Sequence, residues 1–177
     1  MRRVLLLIAM QALPSMSVMA EDWRYEDADV VISGNNRSPD QVASFYEGRG
    51  FPKAMIDEAR QRCFIVWGIH NKTNHVLWMD LEKWTFTHGR AHVARTTRAQ
   101  WFKRWEQIQA PQNARSTFRW TLLPETLDLQ PDEGVGGNVT LAATRGPFDV
   151  EFSFVVGETR AKKIKRVLIK GVQCAFD

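Results

Sequence analysis

Apolar and polar positions change their rhythm along the chain. Between Ser38 and Arg62 apolar residues recur at helical spacing: Val42, Phe45 and Tyr46 form one stripe, Met55, Ile56 and Ala59 a second. Ser38 can cap the first helix, Pro39 suits its first turn, and Gln41 stands at capping-box distance. Gly48 and Gly50 interrupt the run before Phe51-Pro52 restarts it. A helical hairpin over 38–62 is the reading. From Cys63 the period falls to two. Cys63-Phe64-Ile65-Val66-Trp67 is apolar on both faces, the mark of a strand covered on both sides. Residues 75–87 predict the next strand, with Leu77, Met79 and Leu81 on one face and Trp78, Trp84 and Phe86 on the other. The hairpin is the natural cover for that second face.

Thr96-Thr97-Arg98 can start one short helix carrying Trp101, Phe102 and Trp105, which the loop from Pro111 to Ala114 ends. Four strands are expected after it. Phe118, Trp120 and Leu122 alternate; Val139 and Leu141 follow the Gly136-Gly137 bend; Phe148 to Val156 holds a strict period of two; Ile164 to Cys174 closes the chain. Residues 21–37 read as an acidic N-terminal arm with one edge strand at Val30-Val31-Ile32. Short strands without a βαβ rhythm predict a mostly β, antiparallel sandwich or small barrel, a single domain over 38–177 with one short helix inserted between strands.

Residues 1–20 have the form of a cleavable export signal: Arg2 and Arg3, a short apolar run from Val4 to Met10, and Val18-Met19-Ala20 before the cut. The run is too short for a transmembrane anchor, and no Cys follows the cut to carry a lipid. The expected location is the periplasm or the exterior. Of 24 Lys and Arg against 20 Asp and Glu, the leader takes two cations, so the mature chain is nearly balanced. That balance removes the global electrostatic case for nucleic acid. Charge is unevenly placed, with acids from Glu21 to Asp29 and bases from Lys162 to Lys170. Seven Trp and ten Phe indicate an aromatic core. Two cysteines in an exported chain favour a structural disulfide between Cys63 and Cys174, because lone distant thiols make poor metal sites.

The asparagine-rich turn at Asn71-Lys72-Thr73-Asn74, Leu122-Leu123-Pro124, the corner Leu129-Gln130-Pro131-Asp132-Glu133, then Gly137-Asn138-Val139-Thr140-Leu141 and the Phe148 strand follow a known order. Over residues 63–176 this resembles immunoglobulin-like sandwich domains of exported bacterial proteins. The resemblance implies an immunoglobulin-like sandwich and a binding or assembly module, and it names no partner. The helical hairpin departs from that plan.

Four constellations could carry chemistry. His70, His75, His88 and His92 could meet around copper or zinc, although His88 and His92 lack the zinc-protease glutamate. Trp101, Phe102, Arg104 and Trp105 interleave aromatic and cationic groups, as partner-binding surfaces do; the alternative is a core plug. Trp78, Asp80, Glu82 and Trp84 have the look of a sugar cleft, but carboxylates two apart on one strand share one wall and cannot flank a glycosidic bond. The basic last strand could meet an anionic surface, or protect a sheet edge. No nucleophile elbow, phosphate loop or dinucleotide fingerprint is present. The expectation is a non-enzymatic exported domain without a cofactor, binding another exported or envelope protein through residues 101–105. A periplasmic metal-binding protein is the alternative and a carbohydrate-binding module the weaker one.

Overall fold

The computed structural model describes residues 22–158 and 163–176. The export signal expected over 1–20 lies outside the described residues. Two antiparallel sheets face each other. The first contains β1 (Trp23–Glu26), β2 (Val30–Arg37), β3 (Arg62–Asn71), β7 (Arg95–Thr96) and β9 (Gly134–Ala142), in the order β1-β2-β3-β9-β7. In the second, β10 (Phe148–Val156) is central. It pairs with β11 (Lys163–Val172) on one side and with both β4 (Leu77–Asp80) and β5 (Thr85–His88) on the other. Beyond β4 lies β8 (Thr126–Leu129), and beyond β5 lies β6 (Ala91–His92).

The expected acidic arm is therefore not a separate segment. Residues 23–37 form a strand pair that extends the first sheet, with β2 matched to β3 from Val30↔Asn71 to Arg37↔Phe64. Val30 and Ile32 are fully buried, which the acidic flank masked.

The expected strand over 75–87 is split. Between Met79↔Phe154 and Thr87↔Asp149 the chain advances eight residues against five on β10. The three extra residues are a 3-10 turn, Leu81–Lys83, which Asp80 caps through the Glu82 N–H. An odd insertion reverses which parity faces inward. Leu77 and Met79 point to the core before the turn, and Trp84 and Phe86 do so after it. The two apolar faces seen in the sequence are one face with its phase shifted. No helix is needed to cover Trp84, which lies edge-on to Phe152 at 4.6 Å.

Four helices stand beside the sheets: α1 (Pro39–Glu47), α2 (Lys53–Arg60), α3 (Arg98–Gln107) and α4 (Gln112–Thr121). Ser38 closes a capping box with Gln41 on α1, and Thr97 does the same with Gln100 on α3. The expected strand around Phe118, Trp120 and Leu122 is instead α4. Ala114, Phe118 and Leu122 recur every four residues and all are buried, and that helical period won over the two-residue alternation. Two helices, not one, are thus inserted between β7 and β8.

Two cores result. One lies between the sheets around Trp67, Trp84, Phe86, Phe152 and Phe154. The other lies on the outer face of the first sheet, where Phe64 meets Tyr46, Met55, Trp101, Trp105 and Phe118 from the helices. Successive residues of β3 thus serve both, Phe64 the helices and Cys63 and Ile65 the sheets. Gly34 gives Trp67 its place, since a Cβ there would sit 2.4 Å from the indole ring. Cys63 and Cys174 form the disulfide, with Cα atoms 5.3 Å apart, and it ties the start of β3 to the segment after β11.

Candidate functional site

On the outer face of the first sheet, residues two apart along each strand line up in rows across β2, β3 and β9. The pairing sets Arg37, Phe64 and Thr140 in one row and Asn35, Val66 and Asn138 in the next. Tyr46 of α1 and Trp101 of α3 cover the first row at Phe64 and Thr140, and the second row is only half-buried. The result is a groove of about 920 Å³ whose walls include Phe45, Tyr46, Phe64, Val66, Trp120 and Asn138.

Trp120 is 85% exposed and Phe45 is 41% exposed, the two most exposed rings lining the groove. Each owes its position to helical geometry. Phe118 goes down into the core and meets Trp101 and Trp105 at 5.0 Å, so Trp120, two residues on, must leave it. Tyr46 likewise is buried, and its neighbour Phe45 meets it edge-on at 5.1 Å. The Arg49 guanidinium lies 3.5 Å over the Phe45 ring and donates to the Phe45 carbonyl at 2.8 Å. Gly137 lets α4 approach β9: a Cβ would fall 2.6 Å from the Leu123 nitrogen. That nitrogen donates to Asn138 O at 3.0 Å, and Asn138 Nδ2 donates to Thr121 O at 2.9 Å.

The polar groups near the groove are largely engaged. Thr121 Oγ1 donates to Phe118 O at 2.7 Å, which leaves the Tyr46 hydroxyl to donate to Thr121 Oγ1 at 2.8 Å. Burial pushes the Tyr46 phenol up to about 12, so it remains a neutral hydrogen-bonding group across the physiological range. Asp40 is paired with Arg60 at 2.5 Å. The groove thus offers apolar area, one fully presented indole and the cations Arg37 and Arg49 at its margin.

The residues expected to bind a partner lie elsewhere. Trp101 and Trp105 are 2% and 0% exposed, stacked on one another at 4.8 Å inside the helical core. Trp101 Nε1 donates to Thr140 Oγ1 at 2.8 Å. These rings cannot meet a partner without unpacking the helices, and this corrects the sequence expectation. Phe102 and Arg104 are partly exposed on the same helix, and Arg104 is paired with Glu58. Trp120 is what sequence reasoning missed. The period of four through Ala114, Phe118 and Leu122 was the available signal, and it places position 120 on the opposite face.

The four histidines are not brought together. His92 pairs with Thr87 and Ala91 with His88, so His88 and His92 leave opposite faces of their ribbon. His88 Nδ1 lies 2.7 Å from Pro147 O, ahead of β10, while His75 lies 3.5 Å from Glu158, beyond the other end of β10. Those ends are separated by about 25 Å at the rise of a strand. His70 faces Asp132 at 3.1 Å. Among the described residues no group of three His, Cys, Asp or Glu side chains is placed to hold a metal ion. No helix among them is long and apolar enough to cross a membrane.

The chain matches no protein-family model and no curated protein sequence. Among solved structures it is similar to that of a "putative lipoprotein" of Bacillus subtilis, at 12% identity and a TM-score of 0.45. That likeness covers 86% of this chain and 39% of the other, so the chain spans about two fifths of that protein's length.

Proposed function

We propose that this is an exported, non-enzymatic binding domain that acts through protein–protein contact, with the groove under Trp120 as its contact surface. The observation that carries the reading is an indole 85% exposed over an apolar groove on a rigid scaffold. A large ring in water at this position does nothing for the fold, whereas Trp is the side chain that most often dominates an interface once a partner desolvates it. The occupant that fits is a segment of another exported protein bearing an apolar side chain beside a carboxylate. The apolar part would lie between Phe45 and Trp120, and the carboxylate would face Arg37 or Arg49. Export rests on the form of residues 1–20 and agrees with the disulfide, which oxidising compartments permit. The two-sheet arrangement supports an immunoglobulin-like sandwich extended by helices as the finer description of the fold.

The test begins with crosslinking of the native protein in its envelope fraction through a photoreactive residue at position 120. Binding of the purified crosslinked protein is then measured directly. Trp120→Ala should weaken it tenfold or more, with Phe45→Ala next. Since Trp120 is exposed, the thermal transition should be unchanged. Binding equal to wild type in the folded Trp120→Ala variant overturns the reading. An exposed indole beside Gln41 and Asn138 also suits a sugar ring; loss of polysaccharide binding in the same variant, without any protein partner, would favour the carbohydrate-binding alternative.

A further inference from the structure

A second concavity, about 510 Å³, lies between α3 and the edge of the first sheet at β7 and β9. The small side chains of Ala94, Thr96 and Ala142 line it together with the buried Trp101. Around it stand four cations, Arg62, Arg95, Lys103 and Arg104, and one carboxylate, Glu58. Gln100, Lys103, Arg104 and Gln107 all line it, and their spacing puts them on one face of α3. That face is held in place because Trp101 and Trp105 anchor the helix in the core.

Two of the cations are already matched. Arg104 is paired with Glu58, and Arg95 Nη1 meets Glu125 Oε2 at 2.7 Å. The hydrogen bond from Arg104, with the Arg62 charge behind it, holds the Glu58 carboxyl below its usual range, so Glu58 remains ionised and engaged. Arg62 and Lys103 are exposed, and among the described residues neither side chain has a hydrogen-bond or ion-pair partner. A planar fork from the strand and a point charge from the helix thus both border one open cavity.

We infer that this cavity binds a phosphomonoester group, carried by a soluble molecule or by a lipid headgroup. A tetrahedral dianion can accept from Arg62, Lys103, Gln100 and Gln107 at once, where a carboxylate with two oxygens would leave donors unmatched. The volume exceeds what a phosphate fills, which leaves room for the carrier. The site is separate from the groove and does not depend on the protein-binding reading. Because it is open to solvent, its affinity falls as salt rises.

The test is calorimetric titration of the mature protein with inorganic phosphate and with glycerol 3-phosphate at low ionic strength. Retention on phosphatidylcholine vesicles with and without phosphatidic acid is measured in parallel. Binding of glycerol 3-phosphate is expected, reduced about tenfold by Arg62→Gln or by Lys103→Gln and lost in the double variant. Lys170→Gln, on β11 of the second sheet, and Trp120→Ala should bind as wild type. In the unmutated protein the same ligand should shift the Trp101 indole and the Gln100 and Gln107 amide resonances, a readout independent of variant folding. Retention only on phosphatidic acid vesicles assigns the headgroup as carrier; binding in solution alone assigns a soluble one. The inference is overturned by no binding to any of these probes, or by unchanged binding in a folded double variant.

Discussion

Asn71 has 0% exposure and is one of two buried polar residues in the described chain. Its Nδ2 donates to the carbonyls of His75, Leu129 and Gln130 at 2.8–3.0 Å, and its Oδ1 accepts from Thr73 N and Oγ1. One amide therefore joins the turn after β3 to the corner before β9. Asn71→Ala should cost about 2–3 kcal/mol, because it leaves several buried carbonyls without a donor; urea unfolding measures it. Trp105 belongs to the same scale. Replacing it with Ala removes a fully buried indole and should cost about 3–5 kcal/mol; an unfolding midpoint equal to wild type would contradict its core position.

Charge separation along the sequence becomes contact between elements. Asp27 and Asp29, in the turn between β1 and β2, meet Lys165 and Lys163 of β11, so the acidic start and the basic end of the chain join the two sheets. The last strand is thus committed partly to an internal ion cluster rather than to a partner surface. Burial pushes the Asp27 carboxyl up, but Lys165, the Tyr25 hydroxyl at 2.7 Å and the N–H groups of Val30 and Asp29 outweigh it and hold it well below the carboxylate range. For Lys165, burial is likewise outweighed by the two carboxylates, and its value is raised. The sign follows from linkage. Stability from Asp27 is complete above the unfolded value of about 3.9 and is lost as pH falls through the lower folded value. Stability from Lys165 is complete below about 10.4 and is lost as pH rises through its higher folded value. Asp27→Asn should therefore lower stability at neutral pH and flatten its acid limb, as read by urea unfolding across pH. The disulfide acts between elements too. Its 111-residue separation corresponds to about 4–5 kcal/mol in the chain-entropy view, and comparing wild type with Cys174→Ser under oxidising conditions measures it.

The whole molecule has two cores and one spine. Because alternate residues of β3 enter different cores, neither helices nor second sheet can leave without exposing part of the same strand. Unfolding should be a single cooperative step, with near-ultraviolet and far-ultraviolet signals coinciding in wild type and in Trp105→Ala. Separate transitions would show the helical layer to be independent. At this scale the two proposed contact regions lie on different sides of the helical layer, the apolar groove by α1 and α4 and the cationic cavity by α3.

Local chemistry in the sequence determined a good deal. Capping residues and spacing marked α1 and the start of α3, strict alternation marked β10, and the even cysteine count pointed to Cys63 and Cys174. These signals are local because they depend on neighbours within a turn or two. Three features needed the tertiary structure. The phase shift at Leu81–Lys83 shows only against β10, since two apolar faces in sequence can be one face with an odd insertion. Residues 112–121 carried both a two-residue and a four-residue period, and packing on Trp101 and Trp105 chose the helix. That choice buried the tryptophans of α3 and exposed Trp120, moving the candidate site from one end of the helical layer to another. Aromatic residues look alike in a sequence; which of them reach water depends on what remains uncovered once distant elements have packed.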